Sequence, residues 1–326
     1  MAISKEEVVW AYRMILGREP ESEDVIKKQM KNKDISAIRE TFLNSPEYIQ
    51  KCNLAVGNME KFTFFPLDLA RNEIEHEATE KDLAKCIAKI KEAWSHLGVI
   101  KPHFSVLTDD KFLPDNLGQN LETFWKSGEN EVLQLEKILT RHNFSLKSIF
   151  SSKICVEFGC GVGRVTTALS SRFSKVHGYD ISQGHLNQAS KRAEEIKLSN
   201  CHFHLCAENF LEEIEKCDFF YSRIVFQHNP PPVINQLIRN ALKALKPDGI
   251  AIFQVPTYQI GYSFSIMKWL KSEHKLDMQM HCLPQHVIFS IATQEKCDIL
   301  EVREDNSTGA PDKFISNLFV IKKHSK

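Results

Sequence analysis

The sequence predicts an α/β protein in which a doubly wound, mostly parallel seven-stranded sheet follows an all-helical module. An apolar run beginning at Ile154 ends in three alternating glycines, the pattern of a strand, a tight turn and a helix start. Strand-like and helix-like segments then alternate to the C-terminus, which favours parallel strands with helices on both faces. The first 50 residues instead show only helical periodicity. These three observations define the expected architecture.

The N-terminal elements are predicted from their periodicity and stop signals. Helices are expected over 5–17 and 21–31, and from Asp34 to the break at Asn44. Thr79 then caps a further helix, whose apolar residues recur at steps of four and three: Leu83, Ile87, Ile90, Trp94 and Leu97. We interpret 1–50 as a helical module, 51–100 as a linker with a connecting helix, and 101–326 as the main domain.

The main domain is predicted to alternate strands and helices and to finish with two antiparallel strands. Strands are expected near 153–158, 175–180, 201–205, 218–225, 249–255, 297–303 and 314–322. Helices are expected through 132–139 and near 164–172, 183–196, 232–245 and 283–294. Residues 257–281 form an insertion, which is expected to shape a substrate pocket.

Composition excludes several classes of protein. Acidic and basic residues balance at 42 each, so no global field favours nucleic acid. Nine cysteines form no C-x-x-C pair, which favours reduced thiols and a cytoplasmic location. No apolar run has the length of a membrane span, and the N-terminus lacks the pattern of an export signal.

The glycine turn predicts a nucleotide-like ligand. Gly159, Gly161 and Gly163 would let a ligand approach bare backbone at a helix start, and Asp180 ends the next strand, where doubly wound folds bind ribose. A dinucleotide motif requires glycine or alanine at 164, where this chain has Arg164. A nicotinamide-dependent oxidoreductase therefore remains only as an alternative.

The run Glu157-Phe158-Gly159-Cys160-Gly161-Val162-Gly163 resembles the first motif of class I S-adenosylmethionine (SAM) dependent methyltransferases. The resemblance continues through Asp180, 207–209, 218–228 and 245–249. It implies a Rossmann-like methyltransferase domain with SAM as cofactor, in which Glu157 serves the methionine end and Glu208 and Asn209 serve adenine. The expected cofactor-binding residues are Phe104, Ser105, Glu157, Gly159, Gly161, Arg164, Asp180, Ile181, Glu208, Asn209 and Gln227. Phe104, Ser105 and a turn at 124–128 are expected to cover the cofactor.

The expected reaction is methylation of a hydroxyl, or of an amine, on a small or sugar-like acceptor. A hydroxyl needs a base, and His228 and His281 are the candidates, with His228 favoured at the tip of the fourth strand. No metal is expected, because Gln227, His228 and Asn229 stand where a carboxylate cluster would be needed. Cys201, His202, His204 and Cys206 suggest a metal site, but a buried strand is the favoured interpretation.

The N-terminal run from Tyr12 to Pro20, together with 45–48, resembles a helical domain of unknown function found on bacterial surface and polysaccharide-related proteins. That resemblance implies a role in polysaccharide modification and leaves the protein partner of the module open. A non-enzymatic scaffold that keeps the cofactor fold is the second alternative function.

Overall fold

The fold is described by a computed structural model that covers residues 3–48, 68–144, 151–206, 214–273 and 278–325. The chain divides into two compact units, Met1–Phe64 and Phe65–Lys326. The helix expected to connect two domains, Glu80–Ile100, therefore belongs to the second unit.

The first unit is a small helical module. It contains α1 (Lys5–Ala11), α2 (Glu23–Gln29) and α3 (Ile35–Leu43), and α1 runs on into a π-helical turn, Tyr12–Leu16. Gly17 ends this turn with φ +62°, a left-handed conformation that suits glycine. Side chains of Ser4, Ser22 and Asp34 cap the three helices. The apolar faces enclose a core of their own, centred on Val8, Tyr12, Leu16, Ile38 and Phe42.

The second unit is built on the expected seven-stranded sheet. Its strands in chain order are β2 (Ile154–Phe158), β3 (Lys175–Asp180), β4 (Cys201–Leu205), β5 (Cys217–Ser222), β6 (Leu245–Gln259), β8 (Cys297–Asp305) and β9 (Phe314–Lys323). The order across the sheet is β4-β3-β2-β5-β6-β9-β8, parallel from β4 to β6 and antiparallel for β9 and β8. A separate parallel pair joins β1 (Glu73–Ile74) to β7 (Ser263–Phe264). The predicted fold class is confirmed.

Helices cover both faces of this sheet. They are α4 (Glu80–Ile100), α5 (Pro102–Val106), α6 (Pro114–Arg141), α7 (Thr166–Leu169), α8 (Gln183–Glu195), α9 (Pro231–Ala244), α10 (Ile266–Lys271) and α11 (Gln285–Gln294). Val156 and Phe158 pack on the face covered by α4, α9 and α11, whereas Cys155 packs on the face covered by α6 and α7. This alternation directs Glu157, between them, towards α7.

Helix α4 meets α8 backbone to backbone. A Cβ atom on Gly98 would lie 2.0 Å from the Ser182 hydroxyl oxygen, and a Cβ atom on Gly184 would lie 2.6 Å from the Gly98 carbonyl oxygen. Glycine at both positions therefore allows the end of α4 to contact the start of α8 directly.

Some elements differ from their predicted form. The turn expected at 124–128 lies inside the 28-residue helix α6, and the helix expected over 164–172 is limited to Thr166–Leu169 by turns on either side of it. The strand expected over 218–225 ends at Ser222, because Ile224 turns the chain with φ +58°. β4, expected to be buried, is an edge strand whose residues are half-buried or exposed.

Candidate cofactor site

The glycine loop after β2 leaves room for close approach of other groups. Gly159, Gly161 and Gly163 have φ of +73°, +53° and +80°. A Cβ atom at Gly161 would lie 2.4 Å from Val106 Cγ2, and one at Gly159 would lie 2.3 Å from Val225 Cγ2. Side chains at these two positions would therefore be both strained and obstructed.

Asp180 is held in place by hydrogen bonds to both carboxylate oxygens. Its Oδ2 accepts from the Gly161 backbone N–H at 2.8 Å, and its Oδ1 accepts from the Ser182 backbone N–H at 2.8 Å. His185 Nδ1 lies 3.3 Å from the same Oδ1. The carboxylate thus ties the end of β3 to the glycine loop and to the first turn of α8.

His185 extends this arrangement to the helix in front of the loop. The ring is 2% exposed, and its Nε2 lies 2.7 Å from the Ser105 hydroxyl on α5. Ser105, His185 and Asp180 therefore form a continuous hydrogen-bonded chain. The sequence analysis did not identify His185, because its link to Ser105 depends on how α5 packs against α8.

Glu157 is a buried acid beside the same loop. Its side chain is 6% exposed and accepts a hydrogen bond from the Thr166 hydroxyl. Burial raises the pKa of Glu157 to about 8, because an apolar surrounding disfavours the charged form. At neutral pH this carboxyl is largely protonated until a cation approaches it.

Arg164 takes part in a buried cluster of charges that the sequence did not indicate. Its Nη2 lies 2.5 Å from Glu131 Oε2, and its Nη1 donates to the Ser127 hydroxyl at 3.3 Å. The Tyr221 hydroxyl donates to Glu131 Oε1 at 2.5 Å, and Arg223 Nη1 lies 4.0 Å from Oε2. Burial opposes ionisation of Glu131, but the two guanidinium groups outweigh it and hold its pKa below the usual value.

The Arg164 Nε–H remains available. It is buried and has no hydrogen-bond partner among the residues that the structure describes. A buried donor of this kind is costly unless a ligand accepts from it.

These groups line one cavity at the carboxyl ends of β2, β3 and β5. Of the residues predicted to bind the cofactor, it includes Ser105, Glu157, Gly159, Gly161, Arg164, Asp180 and Ile181. Its walls also contain residues that the sequence analysis missed: Ile90, Trp94, Glu131, His185, Arg223 and Asn229. We call this the cofactor cavity. Its charged groups fit SAM, which carries a carboxylate for Arg164, an ammonium group for Glu157 and ribose hydroxyls for Asp180.

Phe104 and Gln227, two of the predicted cofactor residues, do not line this cavity. Phe104 does not line it, because α5 turns Ser105 and Val106 inward and leaves the Phe104 ring 5.6 Å from the Lys101 ammonium nitrogen. Gln227 is buried elsewhere; its side-chain oxygen accepts from Gln254, and its backbone oxygen accepts from the His281 N–H at 2.7 Å. Glu208 and Asn209 lie outside the described residues.

The segment at 124–128 supports the glycine loop from α6. A Cβ atom at Gly128 would lie 2.1 Å from the Arg164 carbonyl oxygen. Phe124 is fully buried beside Val162, within the loop. The part of the expected cover that lines the cavity is therefore α5, through Ser105 and Val106.

The two candidate bases lie outside the cofactor cavity. His228 packs edge-on against Trp94 with ring centroids 5.3 Å apart, and its Nδ1 lies 3.0 Å from the Gln279 carbonyl oxygen. His281 Nδ1 lies 2.8 Å from the Tyr262 hydroxyl. Burial lowers the pKa of His228 to about 4 and that of His281 to about 3, so both are neutral at pH 7.

The histidines of β4 pack as rings beside β3. His177 Nδ1 lies 2.8 Å from His204 Nε2, and the two rings stack with centroids 5.0 Å apart. Within the described ranges, no three His, Cys, Asp or Glu side chains are arranged to hold a metal ion. The same part of the chain contains no helix that is both long and apolar enough to cross a membrane.

Comparison with known proteins gives a family match that includes this region. Residues 155–249 match the sequence profile of a methyltransferase domain family. The ubiquinone biosynthesis O-methyltransferase of Actinobacillus pleuropneumoniae serotype 7 is 29% identical over 126 residues, which are 37% of this chain and 51% of that protein. The enzyme of the same name from Glaesserella parasuis is 27% identical over 113 residues, or 33% and 47% of the two chains. This chain thus spans about half the length of the curated relatives it matches.

Solved structures also align with the chain at low sequence identity. Magnesium protoporphyrin IX methyltransferase from Synechocystis, with bound SAM, aligns with a TM-score of 0.48 and 14% identity over 72% of this chain and 97% of that chain. Phospholethanolamine N-methyltransferase 2 from Haemonchus contortus aligns with a TM-score of 0.47 and 16% identity over 69% and 60%.

Proposed function

We propose that this chain, in which residues 155–249 form a class I SAM-dependent methyltransferase domain with SAM as cofactor, methylates a hydroxyl of a small or sugar-like acceptor. The observation that carries the proposal is the cofactor cavity itself. It brings the motif acid Glu157, the glycine loop and Asp180 together with an unpaired donor on Arg164.

Each polar group of the cavity has a proposed task. Asp180 Oδ2 accepts one hydrogen bond from the protein, so one of its lone pairs remains for a ribose hydroxyl. The Arg164 Nε–H donates to the methionine carboxylate, and Glu157 ionises beside the ammonium group. When bound, SAM supplies an electrophilic methyl group on a sulfonium. The protein contributes mainly by holding the acceptor in line with that methyl.

We propose that outward movement of α5 accompanies SAM binding. The cofactor cavity encloses about 80 Å³, whereas small-molecule sites usually have roughly 300–1,000 Å³. Val106 Cγ2 lies against Gly161, so outward movement of α5 would open the space over the glycine loop. The Ser105–His185 hydrogen bond then becomes the contact that re-forms when the site closes.

Proton removal from the acceptor is assigned to His228. Its Nδ1 faces a carbonyl oxygen, which favours a proton on Nδ1 and a lone pair on Nε2. That Nε2 lies 3.3 Å from the side-chain amide nitrogen of Gln227, which the acceptor hydroxyl has to displace. Trp94 lines the cofactor cavity and also touches His228, so the acceptor would enter beside this tryptophan. We propose turnover without a metal ion.

The similarity to ubiquinone biosynthesis O-methyltransferases over 126 residues supports a hydroxyl as the attacking group. Balanced charge argues against nucleic acid as the acceptor. The eight cysteines in the described part of the chain form no disulfide, which supports work in a reducing compartment such as the cytoplasm. The N-terminal module resembles a helical domain of bacterial surface and polysaccharide-related proteins, and this resemblance supports a role in polysaccharide modification in bacteria.

The test combines cofactor binding with an acceptor screen. Calorimetry should detect SAM binding and no binding of NADH. Labelled SAM should then transfer its methyl group to a member of a panel of nucleotide sugars and cell-surface glycan fragments. Tight NADH binding without SAM binding would support the oxidoreductase, and failure to bind either would support the scaffold.

A further inference from the structure

A second cavity lies between residues 73–75 and the insertion. It has a volume of about 640 Å³, is more open to solvent than the cofactor cavity, and shares no lining residue with it. Four rings line it, those of Tyr262, Phe264, Trp269 and His281. Polar groups of Glu73, Glu75, Ser263, Ser265 and Lys268 complete the lining. We call this the insert cavity.

Contacts between distant segments hold the insert cavity in shape. Strand β1 pairs with β7, and Glu75 Oε2 accepts from the Ile266 N–H at 2.6 Å, at the start of α10. Lys89 on α4 donates to the Trp269 carbonyl oxygen at 2.9 Å, and its ammonium nitrogen lies 4.6 Å from the centre of the Trp269 ring. The aromatic wall is therefore preorganised by the main fold.

His281 forms the polar centre of this wall. Phe264, Trp269 and Tyr262 surround its ring at centroid distances of 5.5, 6.1 and 6.2 Å. The side chain is 5% exposed, and its Nδ1 is engaged with the Tyr262 hydroxyl at 2.8 Å. The other ring nitrogen, Nε2, is the atom that we expect a ligand to contact, because His281 lines the cavity.

The charges around the cavity favour a neutral ligand. Lys89 already occupies a face of Trp269, and Lys268 lies in the lining, so a second cation would be repelled. Glu73 and Glu75 oppose an anion in the same way. Burial lowers the pKa of His281 to about 3, so the centre of the wall is uncharged at pH 7.

The ligand must also be both flat-faced and rich in hydrogen-bonding groups. Aromatic rings bury an apolar face well, and carboxylates, hydroxyls and an imidazole nitrogen hydrogen-bond hydroxyl groups. A pyranose ring has C–H bonds on its faces and hydroxyls around its edge. An apolar ligand of the same size would instead offer no hydrogen-bonding partner to these polar groups.

We propose that the insert cavity binds a pyranose ring of a neutral saccharide. The position of this cavity links it to the proposed reaction. The His281 backbone N–H donates to the Gln227 backbone carbonyl oxygen at 2.7 Å, and the Gln279 backbone carbonyl oxygen contacts His228. The turn that carries the candidate base therefore separates the two cavities. The identity of this saccharide as the methyl acceptor rests on the proposed function, whereas its binding does not.

The experiment uses the full chain and a panel of methyl glycosides of glucose, galactose, mannose, N-acetylglucosamine and rhamnose. Saturation-transfer NMR at millimolar sugar should show contact with at least one of them. Trp269→Leu should weaken that binding at least tenfold by removing a ring wall. Glu73→Gln, an exposed change that leaves the core intact, should weaken it severalfold, and Glu77→Gln, which alters an exposed acid outside the lining, should leave it unchanged.

Calorimetric binding of SAM to the same samples separates the two proposals. Absence of a saccharide signal while SAM still binds would overturn the saccharide site and leave the proposed function standing. Saccharide binding that Glu73→Gln and Trp269→Leu leave unchanged, or binding of tetramethylammonium in place of any saccharide, would also overturn it. Loss of SAM binding alone would count against the proposed function and not against this site.

Discussion

The cofactor cavity and the insert cavity lie on either side of one short turn, Phe226–His228, but distribute charge in opposite ways. Most charged side chains of the cofactor cavity are buried, and the opposite charges of Glu131 and Arg164 neutralise each other inside the protein. In the insert cavity the rings are buried or half-buried, and the acids and the lysine are exposed. A ligand with several charges needs prearranged buried partners, whereas a neutral ring needs an aromatic wall and a polar rim.

The largest expected effect comes from removing the charge of Glu131. Glu131→Gln keeps the shape of the side chain but leaves Arg164 and Arg223 without their carboxylate. Breaking a buried ion pair on one side costs about 3–5 kcal/mol, and we expect that loss in the free energy of unfolding. Urea denaturation measures it. Glu129→Gln on the same helix, which removes an exposed pair with Lys126, should leave the midpoint unchanged.

Replacement of the candidate base should affect turnover alone. We expect His228→Ala to lower kcat by about a hundredfold or more and to leave SAM affinity nearly unchanged. Because the pKa of His228 is about 4, protonation of this ring should lower the wild-type kcat only as the pH drops below about 5. Turnover in a chelator should match turnover without it. Full activity of the variant, or loss of activity in the chelator, would contradict the assignment and transfer the role to His281, to Tyr258 near the end of β6, or to a bound ion.

The Asp180 chain should control SAM affinity instead of turnover. We expect Asp180→Ala to weaken SAM binding by about 1–3 kcal/mol, since charge-assisted hydrogen bonds are lost. His185→Ala should weaken it by about 1 kcal/mol, because the carboxylate loses one of its fixed neighbours. Calorimetry on these variants, on Ser105→Ala and on the double variant Ser105→Ala/His185→Ala tests whether the three groups act together. Independent, fully additive losses would show that they do not.

The pH dependence of SAM affinity should identify Glu157. Its pKa of about 8 means that the free protein keeps the acid protonated below pH 8. An ammonium group favours the ionised form, so binding has to release that proton. Affinity should therefore rise with pH by at most about tenfold per unit and level off above pH 8. Glu157→Gln should flatten this dependence, and a slope that persists in the variant would assign it to another group.

Features formed by residues that are close together in the sequence could be predicted. The strand, the three glycines and the acid at 157 occupy one short run, and Asp180 ends the next strand, so the parallel sheet brings them to the same edge. The seven strands followed from alternating apolar segments for the same reason. Short-range chemistry of this kind does not depend on how the helices pack.

Side chains that reach the cofactor cavity only through the packing of helices could not be predicted. Glu131 and Trp94 lie on long helices with many possible facing positions, and only the packed structure identifies them as lining the cofactor cavity. Phe104 does not line the cavity, and a five-residue helix has no periodicity from which its inward face could be predicted. Gln227 and His228 were expected at a strand tip, but the strand ends earlier and a turn carries them away from the cofactor cavity.

The backbone contact between α4 and α8 also has an evolutionary consequence. A methyl group at Gly98 would overlap the Ser182 hydroxyl, and one at Gly184 would overlap the Gly98 carbonyl group. Gly98 is distant in sequence from Ser182 and Gly184 but shares one small volume with them. Substitutions at any one of these positions are therefore constrained by the other two. We expect homologous chains to change Gly98 and Ser182 together or not at all. A lineage that enlarged either residue alone would have had to separate the helix preceding α5 from the helix that carries His185.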